Sequence, residues 1–384
     1  MRILLCGDYS SVHTELAVAL KEIGQEVTVL SDGDYYKNFP ADIKIPIDIK
    51  KRNILGKALY LILDFFGLYG FIKYKKTIKK INLENYDIVQ LINPVVISEF
   101  GAIGNLLFIN YLSKKTNNMF LCALGDDTRW VKACLSKTYK YSPLDSLKLK
   151  NFIKFYYSLK YVYTPGYYFL GKFAEYKAKG IITGLTDYEI AYNKYNMKTK
   201  LIRLPISKDK FKKPDRKLIT DKITIFHAWQ KGKESKKGND VLDLAVKKII
   251  KKYGFEKINY ETASGLTYDE FIKKYNNADI FLDQIYSYDR GVSGALGMCS
   301  GKVVFSGFED EEVFSTDAPI NIKKTGVNAT GNLDLLVDAL SYLIENNNIL
   351  EEIKENAYLY AIENYDSDLI SKQYLDYWNI KSNC

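Results

Sequence analysis

A chain of 384 residues is long for one compact core, and at roughly 150 residues per domain it points to two folded domains. Hydrophobic residues at 47% and charged residues at 26% exclude a disordered chain, and five scattered cysteines (Cys6, Cys122, Cys134, Cys299, Cys384) with no CxxC spacing exclude a disulfide framework and a zinc site in favour of buried free thiols. The formal charge of +9 is uneven, with 30 Lys/Arg against 18 Asp/Glu through Pro205 and 25 against 28 beyond it; the basic half calls for an anionic partner, and since no helix-turn-helix, zinc-finger or RNP-like pattern accompanies it, an anionic membrane surface is expected rather than nucleic acid.

Residues 2–6 read as a buried strand that passes directly into polar Asp8, Tyr9, Ser10 and Ser11, so no signal-peptide hydrophobic region is present and a cytoplasmic location is expected. Leu16, Val18, Leu20 and Ile23 follow on a helix that Gly24 can end before a second strand at 26–30, a βαβ opening. Residues 54–74 are rich in Leu, Ile, Phe and Tyr but interrupted by Lys57, Asp64 and Lys73 and flanked by lysines, too broken to span a bilayer. They read either as a core helix with a solvated basic end or as an interfacial membrane-docking element, and 50–80 is the candidate membrane contact.

Residues 86–92 and 119–124 are further short apolar runs separated by helical lengths, which favours a parallel sheet. The pattern restarts at 222–227 after a stretch with Pro205, Pro214 and many charges, continues through a helix at about 239–252, and adds strands at 258–261, 278–282 and 302–305. The domains are therefore expected at 1–205 and 206–364, with a closing helix at 365–384.

A diphosphate needs backbone N–H groups, a helix N-terminus and cations near its phosphates. The turn from Gly7 to His13 joins strand to helix but lacks GxGxxG, which argues against a dinucleotide-dependent oxidoreductase. The segment from His227 through Lys231, Lys233, Lys237 and Gly238 to Asp240 leads from a strand end through a cationic, glycine-containing loop into a helix. It reads as a phosphate site or as a solvated basic loop.

In sequence order, Ile202-Arg203-Leu204-Pro205-Ile206 with Phe211, Lys237-Gly238, Ala278-Asp279-Ile280, Gly301-Lys302-Val303-Val304 and the terminal helix from Tyr365-Asp366 to Tyr377 resemble the stations of the GT-B glycosyltransferases, especially glycosyltransferase family 4. Gly7-Asp8-Tyr9-Ser10, His13, Val89 to Pro94 and Gly125-Asp126-Asp127 resemble bacterial capsule and lipopolysaccharide enzymes of that kind. The resemblance implies an α/β fold of two Rossmann-like domains facing a central cleft, with the last helix returning to the first domain. It implies a retaining hexosyltransferase that moves a sugar from a nucleotide diphosphate donor, held by the second domain, to a glycan or lipid-linked acceptor held by the first.

The family's two glutamates, seven residues apart, fall here on Tyr288 and Leu296, and leucine accepts no ribose hydroxyl hydrogen bond. Either Asp283, Asp289 or the acidic run at 309–312 substitutes, or donor binding is altered, or the site has decayed; Gly291 and Gly294 keep the loop tight, and His227 completes the donor set. Asp126 and Asp127 follow an apolar strand, where a carboxylate serves either the crevice or a helix N-cap. His13 is either a solvated first-turn residue or an acceptor-site group. No cofactor and no metal are expected, since lysines can neutralise the diphosphate and no Asp-x-Asp stands at a donor-domain strand end. The alternative is a catalytically silent protein of this fold that binds glycan or nucleotide.

Overall fold

In the computed structural model, which describes residues 1–34, 37–47, 53–214, 222–229, 234–263 and 268–382, the apolar runs form the strands of two sheets, each in its own compact unit. Unit 1 comprises Met1–Thr138, Leu147–Ile206 and Ser367–Cys384, and unit 2 comprises Tyr139–Ser146 and Ser207–Asp366.

Unit 1 runs β1 (Arg2–Cys6), α1 (Val12–Glu22), β2 (Glu26–Ser31), β3 (Ile43–Lys44), α2 (Ile54–Phe65), α3 (Phe71–Ile78), β4 (Ile88–Leu91), α4 (Gly101–Leu112) and β5 (Met119–Ala123). It continues with α5 (Thr128–Leu135), a 3₁₀ segment (Leu149–Phe155), α6 (Tyr156–Tyr163), α7 (Pro165–Lys177), β6 (Gly180–Thr183), α8 (Thr186–Asn193) and β7 (Thr199–Leu201). The seven strands are ordered β3-β2-β1-β4-β5-β6-β7 and every pair is parallel. The order reverses between β1 and β4, and it is outside the carboxyl ends of strands at such a switch that α/β sheets bind ligands.

Unit 2 runs β8 (Ile223–His227), α9 (Glu234–Lys237), α10 (Asn239–Tyr253), β9 (Ile258–Thr262), α11 (Tyr268–Asn276), β10 (Ile280–Leu282) and α12 (Val292–Cys299). Then come β11 (Val303–Ser306), β12 (Ile322–Lys323), β13 (Gly326–Asn328), α13 (Leu333–Glu345) and α14 (Asn347–Tyr365). The order is β12-β13-β11-β10-β8-β9, parallel except for β12 with β13, and the switch lies between β8 and β10. Alternation along the strands fills both faces: Ile223, Ile225, Ile280, Leu282, Val303 and Phe305 join one core with α10 and α13, while Phe226 stacks on Phe281 on the other face.

The chain then returns through α15 (Ser367–Ser382) to unit 1, where Ile370, Tyr374 and Trp378 pack with Leu16 and Leu20 of α1 over Ile3, Leu5 and Phe120. The Ser367 N–H donates to the Ile206 carbonyl at 3.0 Å and fixes the point of return. Cys6, Cys122, Cys134 and Cys299 are buried free thiols, while Cys384 lies outside the described residues.

The core-helix reading of 54–74 is corrected. The segment forms two helices, and α2 buries only Asp64 while Ile54, Leu55, Leu59 and Ile62 face solvent. Ile54, Leu55, Leu59, Ile62 and Phe66 recur at helical spacing, so α2 has an apolar stripe, but the fold leaves it uncovered. No helix among the described residues is long and apolar enough to cross a membrane.

Candidate functional site

In unit 2 the strand ends at the β8/β10 switch carry His227, Asp283 and Ser306. His227, the last residue of β8, is fully buried; Nδ1 lies 2.8 Å from the Tyr260 hydroxyl and Nε2 lies 3.3 Å from Oδ1 of Asn239. Burial lowers its pKa to about 4, so the ring is neutral at pH 7 and serves as a brace. Next to it, Gly238 caps α10 in the left-handed region at φ +69, and a Cβ there would overlap the side chain of Ile285. Both the backbone and the space therefore require glycine. Asn239, wholly buried at the first position of α10, has its Nδ2 without a hydrogen-bond partner among the described residues.

Lys237 points its Nζ to Asp283 Oδ1 at 2.7 Å, and Ser306 Oγ donates to Asp283 Oδ2 at 3.1 Å. The Asp283 carboxylate is buried with both oxygens occupied, so it braces the lysine rather than standing open for a sugar hydroxyl. Lys231 and Lys233 lie outside the described residues.

Tyr288 and Asp289 are also engaged by their own unit. The Tyr288 ring lies against Tyr139 and Tyr141, with centroids 5.3 and 5.0 Å away, and its hydroxyl accepts the Lys140 N–H. Asp289 is buried, accepts the Arg290 N–H at 2.8 Å and pairs with the Arg290 guanidinium. Arg290 in turn binds Glu311 and the Tyr365 hydroxyl between the rings of Phe308 and Tyr360.

The acidic run is committed as well. Glu309 meets Lys140, Tyr141 and Asn328, and although burial pushes its pKa up, these hydrogen bonds outweigh it and hold the group below the usual carboxylate range. Glu312 pairs with Lys324. Gly291 is the N-cap of α12 with extended backbone at φ −69, and a Cβ there would meet nothing within 4 Å. The tight-loop expectation for Gly291 is therefore corrected, because neither its conformation nor its packing demands glycine; Gly294 does pack closely, against Arg290, Asp283 and Ser306. Leu296 lies half-buried on α12.

In unit 1 the β1/β4 switch gathers Asp8, His13, Gln90 and Asn93. Asp8 is buried, accepts the N–H groups of His13 and Thr14 and the Thr14 hydroxyl, and is raised by burial to a pKa of about 6. His13 is wholly buried: Nδ1–H donates to the Gly7 carbonyl at 2.7 Å, and Nε2 accepts from the Gln90 amide at 3.2 Å. Burial lowers its pKa to about 4. The solvated first-turn reading is corrected, and with both nitrogens occupied inside the unit His13 positions the β1–α1 turn. That turn holds Ser10 and Ser11 at φ 53 and 65, a conformation costly for non-glycine residues.

At the end of β5, Asp127 is the buried N-cap of α5, accepting from the Trp130 N–H at 2.8 Å and the Tyr192 hydroxyl at 2.9 Å; burial raises its pKa to about 6. Asp126 is partly exposed and accepts from Ser158. Of the two, only Asp126 retains exposed surface. Sequence reasoning noted Asn93 and Tyr9 within resembling stretches but gave them no role: the Asn93 amide joins the ends of β4 and β5 through the Leu124 carbonyl at 2.6 Å, and the Tyr9 ring packs where a Gly125 Cβ would stand. Asparagine after a buried strand was the available signal. Among the described residues no group of three or more His, Cys, Asp or Glu is placed to hold a metal ion.

The fold is shared with solved structures over nearly the whole chain. Anabaena Alr3699/HepE in complex with UDP matches at TM-score 0.55 and 14% identity, covering 99% of this chain and 100% of its own. A glycosyltransferase from Rickettsia africae matches at 0.53 and 15%, covering 99% and 98%, and sucrose-phosphate synthase from Thermosynechococcus elongatus at 0.56 and 12%, covering 99% and 98%. The two parallel-sheet units are thus those of the GT-B fold. No protein-family model matches the chain, and no curated protein does.

Proposed function

We propose that the chain is a glycosyltransferase in which unit 2 holds a nucleotide diphosphate sugar and unit 1 holds a glycan acceptor. The observation that carries this reading is the group Lys237, Gly238 and Asn239 beside the carboxyl end of β8, where a cation, the α10 N-terminus and a buried amide nitrogen without a partner among the described residues coincide at the sheet's switch point. Since Alr3699/HepE was solved with UDP and with UDP-glucose, UDP-sugars are the first donors to test. Lys237 compensates the leaving diphosphate without a divalent cation, with Lys231 and Lys233 as further cations in the same loop. Asp126 faces the acceptor.

The acceptor proposed is a lipid-linked surface glycan of the capsule or lipopolysaccharide kind, met by a cytoplasmic enzyme that attaches reversibly to the inner membrane face. Residues 50–80, with lysines on either side of the exposed apolar face of α2, support the attachment, each lysine near an anionic surface adding about 1 kcal/mol. Incubation with a panel of UDP-, GDP- and CDP-sugars is expected to give slow donor hydrolysis or transfer that EDTA does not abolish, with retained anomeric configuration in the product's NMR spectrum. Salt-sensitive co-sedimentation with anionic vesicles, and not with neutral ones, checks the membrane contact.

A second reading, a silent protein that binds nucleotide or glycan, is favoured by Leu296 and by the commitment of Tyr288, Asp289 and Asp283 to internal partners. Binding without turnover across the whole panel would select it.

A further inference from the structure

Unit 1 carries an open cavity of about 900 Å³ between α2 and the 3₁₀ segment that leads into α6. Ligand pockets span roughly 300–1,000 Å³. Its walls are almost wholly apolar, including Ile62 and Phe66 of the α2 stretch and Phe152 and Ile153 opposite. These are not covered by the chain: Ile62 is 56% exposed, Phe66 59% and Ile153 68%. Single exposed apolar side chains are ordinary, but a concave cluster of this kind marks a binding surface.

The floor is built rather than loose. Tyr156 lines the cavity and donates its hydroxyl to Asp64 Oδ2 at 2.9 Å; Tyr167 donates to Asp64 Oδ1 at 2.5 Å, and Lys160 Nζ donates to Tyr167 at 2.9 Å and reaches Asp64 at 3.5 Å. Asp64 is fully buried, so this network fixes α2 to α6 and α7 and leaves the hydrocarbon walls facing outward. Lys57 lines the opening, exposed Lys148 and Lys154 stand close to Phe152 and Ile153 in sequence, and residues 147–163 contain no acidic residue.

We propose that this cavity holds the hydrocarbon chain of a phosphate-bearing membrane lipid, with Lys57 and its neighbours at the anionic headgroup. Apolar walls account for the chain and the lysines for the charge, a pairing that neither a neutral detergent nor a free anion satisfies. The assignment deepens the membrane contact proposed above and rests on that reading for the lipid's source, but the binding itself does not depend on sugar transfer.

Dodecyl phosphate, kept below its micelle concentration, is titrated into the full chain by calorimetry beside decyl phosphate, dodecyl maltoside and inorganic phosphate. One-to-one binding of dodecyl phosphate is expected, weakening roughly tenfold on removal of two methylenes, with weaker binding of the maltoside and none of inorganic phosphate. Ile153→Glu, an exposed position, is expected to lower the affinity tenfold or more, and Lys57→Ala to lower it for dodecyl phosphate but not for the maltoside. Affinity indifferent to chain length, or unchanged in both variants, overturns the proposal. So does a concentration-dependent dimer in sedimentation velocity that Ile153→Glu abolishes, which would assign the face to a second copy of the chain. UDP affinity is measured on the same samples. UDP binding retained in the variants verifies their fold, and wild-type protein that binds dodecyl phosphate but no nucleotide sinks the transferase reading while the cavity assignment stands.

Discussion

Trp378 of α15 donates its indole N–H to Gln90 Oε1 of β4 at 3.1 Å, joining residues 288 apart in sequence. The same Gln90 donates to His13, and His13 to the Gly7 carbonyl, so one buried line runs from the last helix to the turn after β1. Trp378→Phe removes the donor from a wholly buried amide, at about 1–3 kcal/mol. Urea unfolding is expected to show that loss with far-UV circular dichroism unchanged in water; Lys372→Ala, exposed on the same helix, should stay within about 0.5 kcal/mol.

The same line predicts a pH dependence. His13 has its folded pKa lowered to about 4 from 6.5, so the unfolded chain binds this proton preferentially between those values. The stability held above about pH 6.5 is therefore lost as pH falls toward 4. Asp8 and Asp127, raised to about 6, act oppositely over their own window, each favouring the folded state as pH falls from about 6. The two slopes partly cancel in the wild type, so the test is a difference. His13→Gln, which cannot titrate, should gain on the wild type by roughly 3 kcal/mol between pH 6.5 and 4, at about 1.36 kcal/mol per pKa unit. A constant difference across that range would mean that His13 is hydrated.

The strands at 2–6, 26–30, 119–124 and 222–227 were legible because a buried parallel strand is a continuous apolar run bounded by turns. Gly180–Thr183 and Thr199–Leu201 were not, since each offers too few large apolar residues for any period to register. Burial was the other blind spot. Nothing in the letters separates an Asp that caps a helix from one left partly exposed, and Asp127 and Asp126 take these two places beside Tyr192 and Ser158, both distant in sequence. The fixing of Tyr288 and Glu309 depends on Tyr139–Ser146 joining unit 2, a pairing across about 150 residues that no local pattern encodes.

Two glycines of the donor unit are expected to respond differently to alanine. Gly238→Ala meets a positive φ and the side chain of Ile285 together, which should lower stability by about 2 kcal/mol or more and weaken UDP binding. Gly291→Ala meets open space on extended backbone, and should change stability by less than about 1 kcal/mol. If the donor passes close to the α12 N-terminus, Gly291→Ala nevertheless weakens UDP-sugar binding; thermal shift with and without ligand separates the two effects. Unchanged ligand shifts would place the donor away from Gly291.

The last prediction concerns Lys237, whose ion pair with Asp283 makes it a shared cation rather than a free one. A diphosphate entering the site competes with a buried carboxylate for the same ammonium, so the lysine's worth to the ligand is what remains after that competition. Removing a charged hydrogen-bond partner typically costs about 1.5–3 kcal/mol, hence Lys237→Ala is expected to weaken UDP binding about 10- to 150-fold. It also strands Asp283, so a fall in stability should accompany it. Asp283→Asn keeps the shape, removes the competing charge and still offers an oxygen to Ser306 or Lys237; UDP affinity is expected to rise, by up to about tenfold. Lys231→Ala and Lys233→Ala are measured beside them, with exposed Lys251→Ala on α10 as the control. Calorimetry with UDP decides the placement: if Lys237→Ala binds like the control and Asp283→Asn does not tighten, the diphosphate is held elsewhere and the α10 N-terminus is not the donor site.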